Sequence, residues 1–157
     1  MISIYVDGSC RGNPGPGGYG VVVCEHNWGA PPEDYKVLYA HQERCDKTTN
    51  NREEMKAIIY ALKVYGPFEP TICSDSAYCV NTFTKWMDGW KRNGWRRAKN
   101  QPVENLDLVQ EYDKLKQKFH CDLIKVSGHS GNFWNELADQ LATGKITAEE
   151  VIVTYGT

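Results

Sequence analysis

The sequence predicts an α/β fold built on one mixed five-stranded sheet, with three antiparallel strands, two parallel additions and flanking helices. Three observations carry this. Alternating apolar residues mark three closely spaced strands before Gln42. From Asn51 the apolar spacing changes to three and four, the period of an amphipathic helix. Two further short apolar runs then follow, at Thr71–Ser74 and Asp122–Val126, separated by helical patterns.

In chain order, Ile2, Ile4 and Val6 alternate with Ser3 and Tyr5, so residues 2–6 read as a strand that Asp7 closes. Gly8 to Gly18 is rich in turn residues and reads as a loop. Tyr19–Glu25 and Tyr35–His41 read as the second and third strands of an antiparallel meander. Met55, Ile58, Ile59, Leu62 and Tyr65 form the apolar stripe of a helix over Asn51–Tyr65, which Gly66-Pro67 stops. A short strand at Thr71–Ser74 leads into a helix from about Ser76 to Met87. After a basic stretch broken by Gly89 and Gly94, Asn105–Phe119 reads as a helix with Leu108, Val109, Tyr112, Leu115 and Phe119 inward. The strand Asp122–Val126, a loop at Gly128–Gly131 and a helix over Asn132–Thr143, stopped by Gly144, complete the order. Residues 144–157 form a tail with no legible packing. No linker or repeat interrupts the chain, so residues 1–157 are expected to form a single domain.

Composition narrows the function classes. At 41% hydrophobic and 24% charged residues, the chain is neither fibrous nor disordered. Its longest apolar run, Ala57–Leu62, is six residues, and a membrane helix needs about 20. Met1 leads directly into the first strand, which predicts no signal peptide. The net charge is −2, but it is unevenly placed. Between Lys85 and Lys99 six basic residues stand against Asp88 alone, a net of +5, which leaves −7 on the remainder. A concentrated basic patch on an acidic body suits a polyanion held at one place, although a solvated helix end would look the same. The six cysteines contain no Cys-x-x-Cys pair and no zinc spacing. Their even number admits three disulfides. Cys73 and Cys79, however, fall in apolar runs that suit buried free thiols, so the expected setting is the reducing cytoplasm.

Acidic residues at element ends are the candidate chemistry. Asp7 ends the first strand, and Asp75 sits on the turn from a strand into a helix. Each alone equally fits a turn or N-cap aspartate. On a helical wheel Glu53 falls about 175° from the apolar stripe and Glu54 about 75°, so Glu53 is expected in water and Glu54 on the flank facing the sheet. Asp139 lies among Leu137, Ala138 and Leu141, beside another apolar stripe, where an unpartnered acid would be costly. A divalent cation is the natural partner for several such acids. Gly15-Pro16-Gly17-Gly18-Tyr19-Gly20 matches a dinucleotide-binding pattern, but Val21-Val22-Val23 continues it as a strand where that fingerprint needs a helix.

Together these motifs resemble type 1 ribonuclease H, the bacterial form with a basic protrusion. The resemblance rests on Tyr5-Val6-Asp7-Gly8-Ser9-Cys10, the loop Gly12–Gly20, and Thr48-Thr49-Asn50-Asn51-Arg52 leading to Glu54. It continues through Ser74-Asp75-Ser76 with Tyr78, the tryptophans 86, 90 and 95, and Gly128-His129-Ser130-Gly131 followed by Asn135-Glu136 and Asp139. It implies a ribonuclease H-like fold and an endonuclease that cleaves the RNA strand of RNA–DNA hybrids. The four metal-binding acids of the family fall on Asp7, Glu54, Asp75 and Asp139, and the family histidine on His129. The implied cofactor is two Mg²⁺ ions, with Mn²⁺ able to substitute, and the implied products carry 5′-phosphate and 3′-hydroxyl ends. Asp7 would bridge both ions, Asp139 would hold one of them, Glu54 and Asp75 the other, and His129 would assist proton movement or product departure.

The resemblance also implies the substrate contacts. Asn13, Asn50, Asn51 and the backbone near Cys10 and Gly12 match positions that line the RNA strand. Thr49 and Asn105 match a pocket for a DNA-strand phosphate, and Trp86 matches an aromatic platform for deoxyribose. Lys91, Arg92, Arg96 and Arg97 are expected to meet backbone phosphates. The implied partner is an RNA–DNA hybrid bound by a monomer, with no membrane. Two departures stand out: Ala77 occupies a position where many members carry glutamine, and Glu25–Tyr35, with Pro31-Pro32, is longer than in compact members. The competing readings are another nuclease of the same fold and a non-catalytic hybrid-binding module. The retained acids disfavour the second.

Overall fold

The computed structural model describes residues 1–128 and 132–156. Strands β1 (Ile2–Cys10), β2 (Gly15–Glu25) and β3 (Lys36–Thr48) lead into helix α1 (Asn50–Tyr65), then strand β4 (Thr71–Ser74). A continuous helical run follows: α2 (Ala77–Asn81), a wider π-type turn over Thr82–Trp86, and α3 (Met87–Arg92). Helix α4 (Leu106–Lys118), strand β5 (Asp122–Lys125) and helices α5 (Phe133–Thr143) and α6 (Ala148–Tyr155) complete the order. The sheet runs β3-β2-β1-β4-β5. β1, β2 and β3 are antiparallel, and β4 and β5 add in parallel. This is the expected mixed sheet.

The first three strands are longer than the sequence reading. Gly8, Ser9 and Cys10 pair with Tyr19, Gly18 and Gly17, so most of the glycine-rich stretch is ladder and only its tip turns. Turn composition concealed a strand that cross-strand pairing supports. Asp7 therefore does not close β1. It sits inside the strand, opposite Gly20.

Strand alternation divides the core in two. Ile4, Val6, Val21, Val23 and Ile72 face α1 and α4, with Met55, Ile58, Leu62, Val109 and Tyr112 packed against them. Tyr5, Val22, Cys24 and Cys73 face the other side, under Trp134, Leu137, Leu141 and Val151. Gly20 lets α5 close onto β2: a Cβ there would lie 2.5 Å from both the Ala138 carbonyl oxygen and the Leu141 Cβ. The tail is part of this second layer. Val151 of α6 is fully buried, and Gly156 pairs with Val37 beyond the helix. All six cysteines are free thiols. No helix among the described residues is long and apolar enough to cross a membrane.

The helical wheel fails for Glu53, which is 1% exposed rather than in water. A wheel accounts for one packing partner, and α1 has others on that side. The Thr48 hydroxyl donates to Glu53 Oε2 at 2.8 Å and the Lys56 ammonium lies 2.7 Å from the same oxygen. Glu53 is thus a buried, partnered carboxylate that ties α1 to the end of β3.

Candidate active site

Parallel pairing of β1 with β4 places Val6 opposite Ser74, so the residues that follow, Asp7 inside β1 and Asp75 just past the end of β4, lie side by side on two central strands. Helix α1 crosses this point. Carboxylate oxygens of Asp7, Glu54 and Asp75 lie within 4.8 Å of one another. Glu54 is clamped by two donors. The Gly8 amide donates to Oε1 at 2.9 Å, and the Ser74 hydroxyl donates to Oε2 at 2.7 Å. The Gly8 amide also lies 3.0 Å from Asp7 Oδ1, so one backbone N–H is shared between two acids.

Two of these acids are buried, Asp7 at 6% and Glu54 at 4% exposure, and Asp75 is half-buried. Burial first, then the charges of Glu54 and Asp75, drives the Asp7 pKa far above the carboxylate range. Burial also raises Glu54, against the hydrogen bonds that hold it down. In the absence of a cation the cluster therefore retains a proton that isolated carboxylates would have released. Three hard oxygen donors, converging within 4.8 Å and short of positive charge, fit a divalent cation.

Asp139 of α5 shares the cavity of about 280 Å³ that Asp7, Glu54, Asp75, Asn50 and Asn51 line. It differs from expectation in one respect. Its side chain is exposed at the rim, so it escapes the desolvation that the apolar stripe suggested, and it lies outside the tight group of three. His129 lies outside the described residues. Two residues not singled out as site residues also reach the acids: Asn135 and Glu136 line a smaller cavity with Asp7, Asp75 and Asp139. Asn135 is 2% exposed, and its buried Oδ1 has no hydrogen-bond partner among the described residues. The signal for them was available, since they precede Asp139 by four and three positions and so share its helix face. Ser74 had no comparable signal.

The other candidate residues gather around the first turn of α1. Asn13 Oδ1 accepts from the Asn50 amide at 2.9 Å, which pins the tip containing Gly12 onto the helix. Cys10 Sγ points to the carbonyls of Thr48 and Gly15, at 3.1 and 3.4 Å, and fastens the end of β1 to its neighbours. Thr49 caps α1, its hydroxyl accepting from the Arg52 amide at 3.2 Å. Arg52 then reaches Asn105 Oδ1 at 3.3 Å and grips both oxygens of Asp107 at 3.0 and 2.8 Å. One arginine therefore connects Thr49 to Asn105 across the gap between α1 and α4.

The basic stretch is not uniform. Trp86 is 41% exposed and packs edge-on against Tyr78. Lys91, itself exposed, forms a 3.0 Å ion pair with the nearly buried Asp113. Arg97 donates through Nε to the Pro102 carbonyl at 2.8 Å. Arg92 and Arg96 are exposed and form no ion pair among the described residues. Among these four residues, Lys91 and Arg97 already have protein partners, which a charge distribution along the sequence does not report.

A family model described as RNase H matches residues 1–147. Ribonuclease H of Dichelobacter nodosus is 42% identical over 147 residues, covering 93% of this chain and 92% of that protein. Ribonuclease H of Acetivibrio thermocellus is also 42% identical, over 92% of this chain and 94% of its own length. Among solved structures, LC9-RNase H1, a type 1 RNase H with the type 2 active-site motif, superposes with a TM-score of 0.76 at 32% identity. That match covers 93% of this chain and 73% of the other. LC11-RNase H1, solved in complex with an RNA/DNA hybrid, superposes with a TM-score of 0.65 at 25% identity, over 90% of this chain and 94% of the other. The acids on β1 and beside the end of β4, the sheet that carries them and the match along nearly the whole chain agree: this chain belongs to the ribonuclease H family.

Proposed function

We propose that residues 1–157 form one catalytic domain that hydrolyses the RNA strand of RNA–DNA hybrids internally, leaving 5′-phosphate and 3′-hydroxyl ends. The observation that carries this reading is the convergence of carboxylate oxygens of buried Asp7 and Glu54 and half-buried Asp75 within 4.8 Å of one another. Asp7, Glu54, Asp75 and Asp139 would hold two Mg²⁺ ions, with Mn²⁺ able to substitute. Bound there, such ions supply an activated water and a counter-charge for the leaving oxygen. The chain's own residues do the positioning. Asp7 lies between Glu54 and Asp75 on the adjoining elements and Asp139 at the rim, which suits it to bridging. The Gly8 amide and the Ser74 hydroxyl fix the Glu54 carboxylate in one orientation. His129, ten residues before Asp139, assists proton movement or product departure.

Substrate selection falls to the α1 rim. Asn13, Asn50, Asn51 and the backbone near Cys10 and Gly12 would meet the RNA strand, where only the 2′-hydroxyl distinguishes it from DNA. Thr49 and Asn105, linked by Arg52, would receive a DNA-strand phosphate, and Trp86 a deoxyribose. LC11-RNase H1 in its hybrid complex supports this choice of substrate. Cleavage of a labelled hybrid in Mg²⁺ but not in EDTA, with double-stranded RNA and DNA both left intact, is the expected result. Cleavage of either homoduplex at a comparable rate would refute it.

Two further outcomes follow. Mg²⁺ should raise the melting temperature of the free protein, by about 3–6 °C at ten times its dissociation constant. Differential scanning fluorimetry with Mg²⁺ against EDTA measures this. Neutralising Arg92 and Arg96 together should flatten the plot of log K against log salt by roughly 1.4–1.8 and act on KM more than on kcat. Lys91→Ala should leave that slope unchanged, because Asp113 already holds its charge. A Lys91 effect equal to that of the arginines would contradict the division drawn here.

A further inference from the structure

Two segments take no part in the acid cluster: residues 26–35 and the tail that ends in α6. Both converge on a single pocket on the α5 side of the sheet. Tyr35 and Glu33 come from the first segment, Tyr155 from the second, Phe133 and Trp134 from the first turn of α5, and Tyr5 from β1. We propose that this pocket binds the cationic side chain of an arginine-bearing, extended segment of a partner protein.

The pocket has a volume of about 700 Å³, within the range of ligand-sized sites and ample for one guanidinium side chain. Among the described residues, five of those lining it are aromatic, Glu33 is the only charged one, and no lysine or arginine lines it. Phe133, Trp134 and Tyr155 meet at interplanar angles of 77°, 71° and 80°, so their faces point in three directions. Tyr35 lies parallel to Trp134, with an interplanar angle of 7°. The face of an aromatic ring is the negative part of its quadrupole, and a cation over it is attracted. Guanidinium is favoured over ammonium, because it is planar, stacks on rings and is weakly hydrated. Glu33 supplies the opposite charge, with Asp34 beside it in the same 3₁₀ turn.

The walls are already in place. Trp134 is 5% exposed and donates through Nε1 to the Pro32 carbonyl at 3.0 Å, which locks the turn onto α5. Tyr35 is stacked on His26, with ring centres 3.9 Å apart. Phe133 and Tyr155 nevertheless leave 45% and 36% of their surface in water. Rigid, exposed aromatic groups around one carboxylate lose little freedom on binding.

The test uses the full chain with saturating Mg²⁺, so that the catalytic acids are neutralised. The probe is acetyl-Gly-Arg-Gly-Arg-Gly-amide, and the control is the same peptide with citrulline, equal in shape but uncharged. In amide and indole NMR spectra, the Trp134 indole N–H and the Glu33 and Tyr155 amides should shift saturably with the arginine peptide. The citrulline peptide should bind at least about five-fold more weakly. Glu33→Gln and Tyr155→Ala, both at exposed positions, should each weaken the arginine peptide by about five-fold and leave hybrid cleavage unchanged. Equal affinity for the two peptides would make the pocket merely apolar and overturn the proposal. So would shifts confined to the Asp7 and Glu54 region, unchanged affinity in both variants, or no saturable shift at millimolar peptide. None of these results bears on the hybrid-cleavage reading, which rests on a separate cavity.

Discussion

Asp7→Asn should lower hybrid cleavage by at least about a thousandfold while leaving hybrid affinity within a few-fold of the parent. A thousandfold loss corresponds to about 4 kcal/mol of transition-state stabilisation. The asparagine keeps the shape of the side chain and removes the negative charge at the centre of the acid group, where hard cations require it. The same substitution should make the metal-free protein more stable. The native pKa of Asp7 is raised, so the native state binds a proton that the unfolded chain releases above about pH 4. Its contribution to stability is therefore intact at low pH and declines as pH rises through the unfolded value toward the native one. In EDTA the parent should melt lower at pH 7 than a comparison with the variant at pH 5 would suggest, and the variant's advantage should grow with pH. Each kcal/mol recovered is worth about 2–4 °C in a chain of this size. The Mg²⁺-dependent rise in melting temperature should shrink in the variant. Near-parental cleavage, or an Asp7→Asn protein less stable than its parent in EDTA at pH 7, would remove Asp7 from the centre of the site.

Gly8→Ala should damage fold and site together. At Gly8 strand β1 passes so close to α1 that an added Cβ would lie 2.3 Å from the Glu54 nitrogen and 2.6 Å from the Glu53 carbonyl carbon. Both are backbone atoms, so no side chain can rotate away. Overpacking of this kind costs about 1–3 kcal/mol or more, equivalent to a fall of about 2–12 °C in melting temperature. The chain must separate from the helix to accommodate the methyl group. That lengthens the 2.9 Å bond from the Gly8 amide to Glu54 and releases one of the two donors that orient this carboxylate. Cleavage should fall at temperatures where the variant is still fully folded. Chemical denaturation followed by single-turnover kinetics separates the two effects. A variant with parental stability would mean that β1 and α1 are not in contact at Gly8.

Much of this arrangement is local and therefore readable along the chain. The alternation of Ile2, Ile4 and Val6 and the spacing of Met55, Ile58, Ile59 and Leu62 follow from the two-residue period of strands and the 3.6-residue period of helices. The motifs around Asp7, Glu54, Asp75 and Asp139 were legible because each sits on or beside a strand or helix whose type can be recognised nearby. The remainder depends on neighbours distant in sequence. Glycines that read as a loop became strand because β1, β2 and β3 pair through them. Glu53, which faces water on a wheel, is buried because Thr48 and Lys56 receive it there. Lys91 counts toward the basic patch by composition, yet Asp113 neutralises it across the contact with α4. The unread tail became α6 because β3 offered Val151 a face to cover. In each case burial, pairing and charge compensation are properties of two segments at once, and no periodicity within one segment encodes its partner.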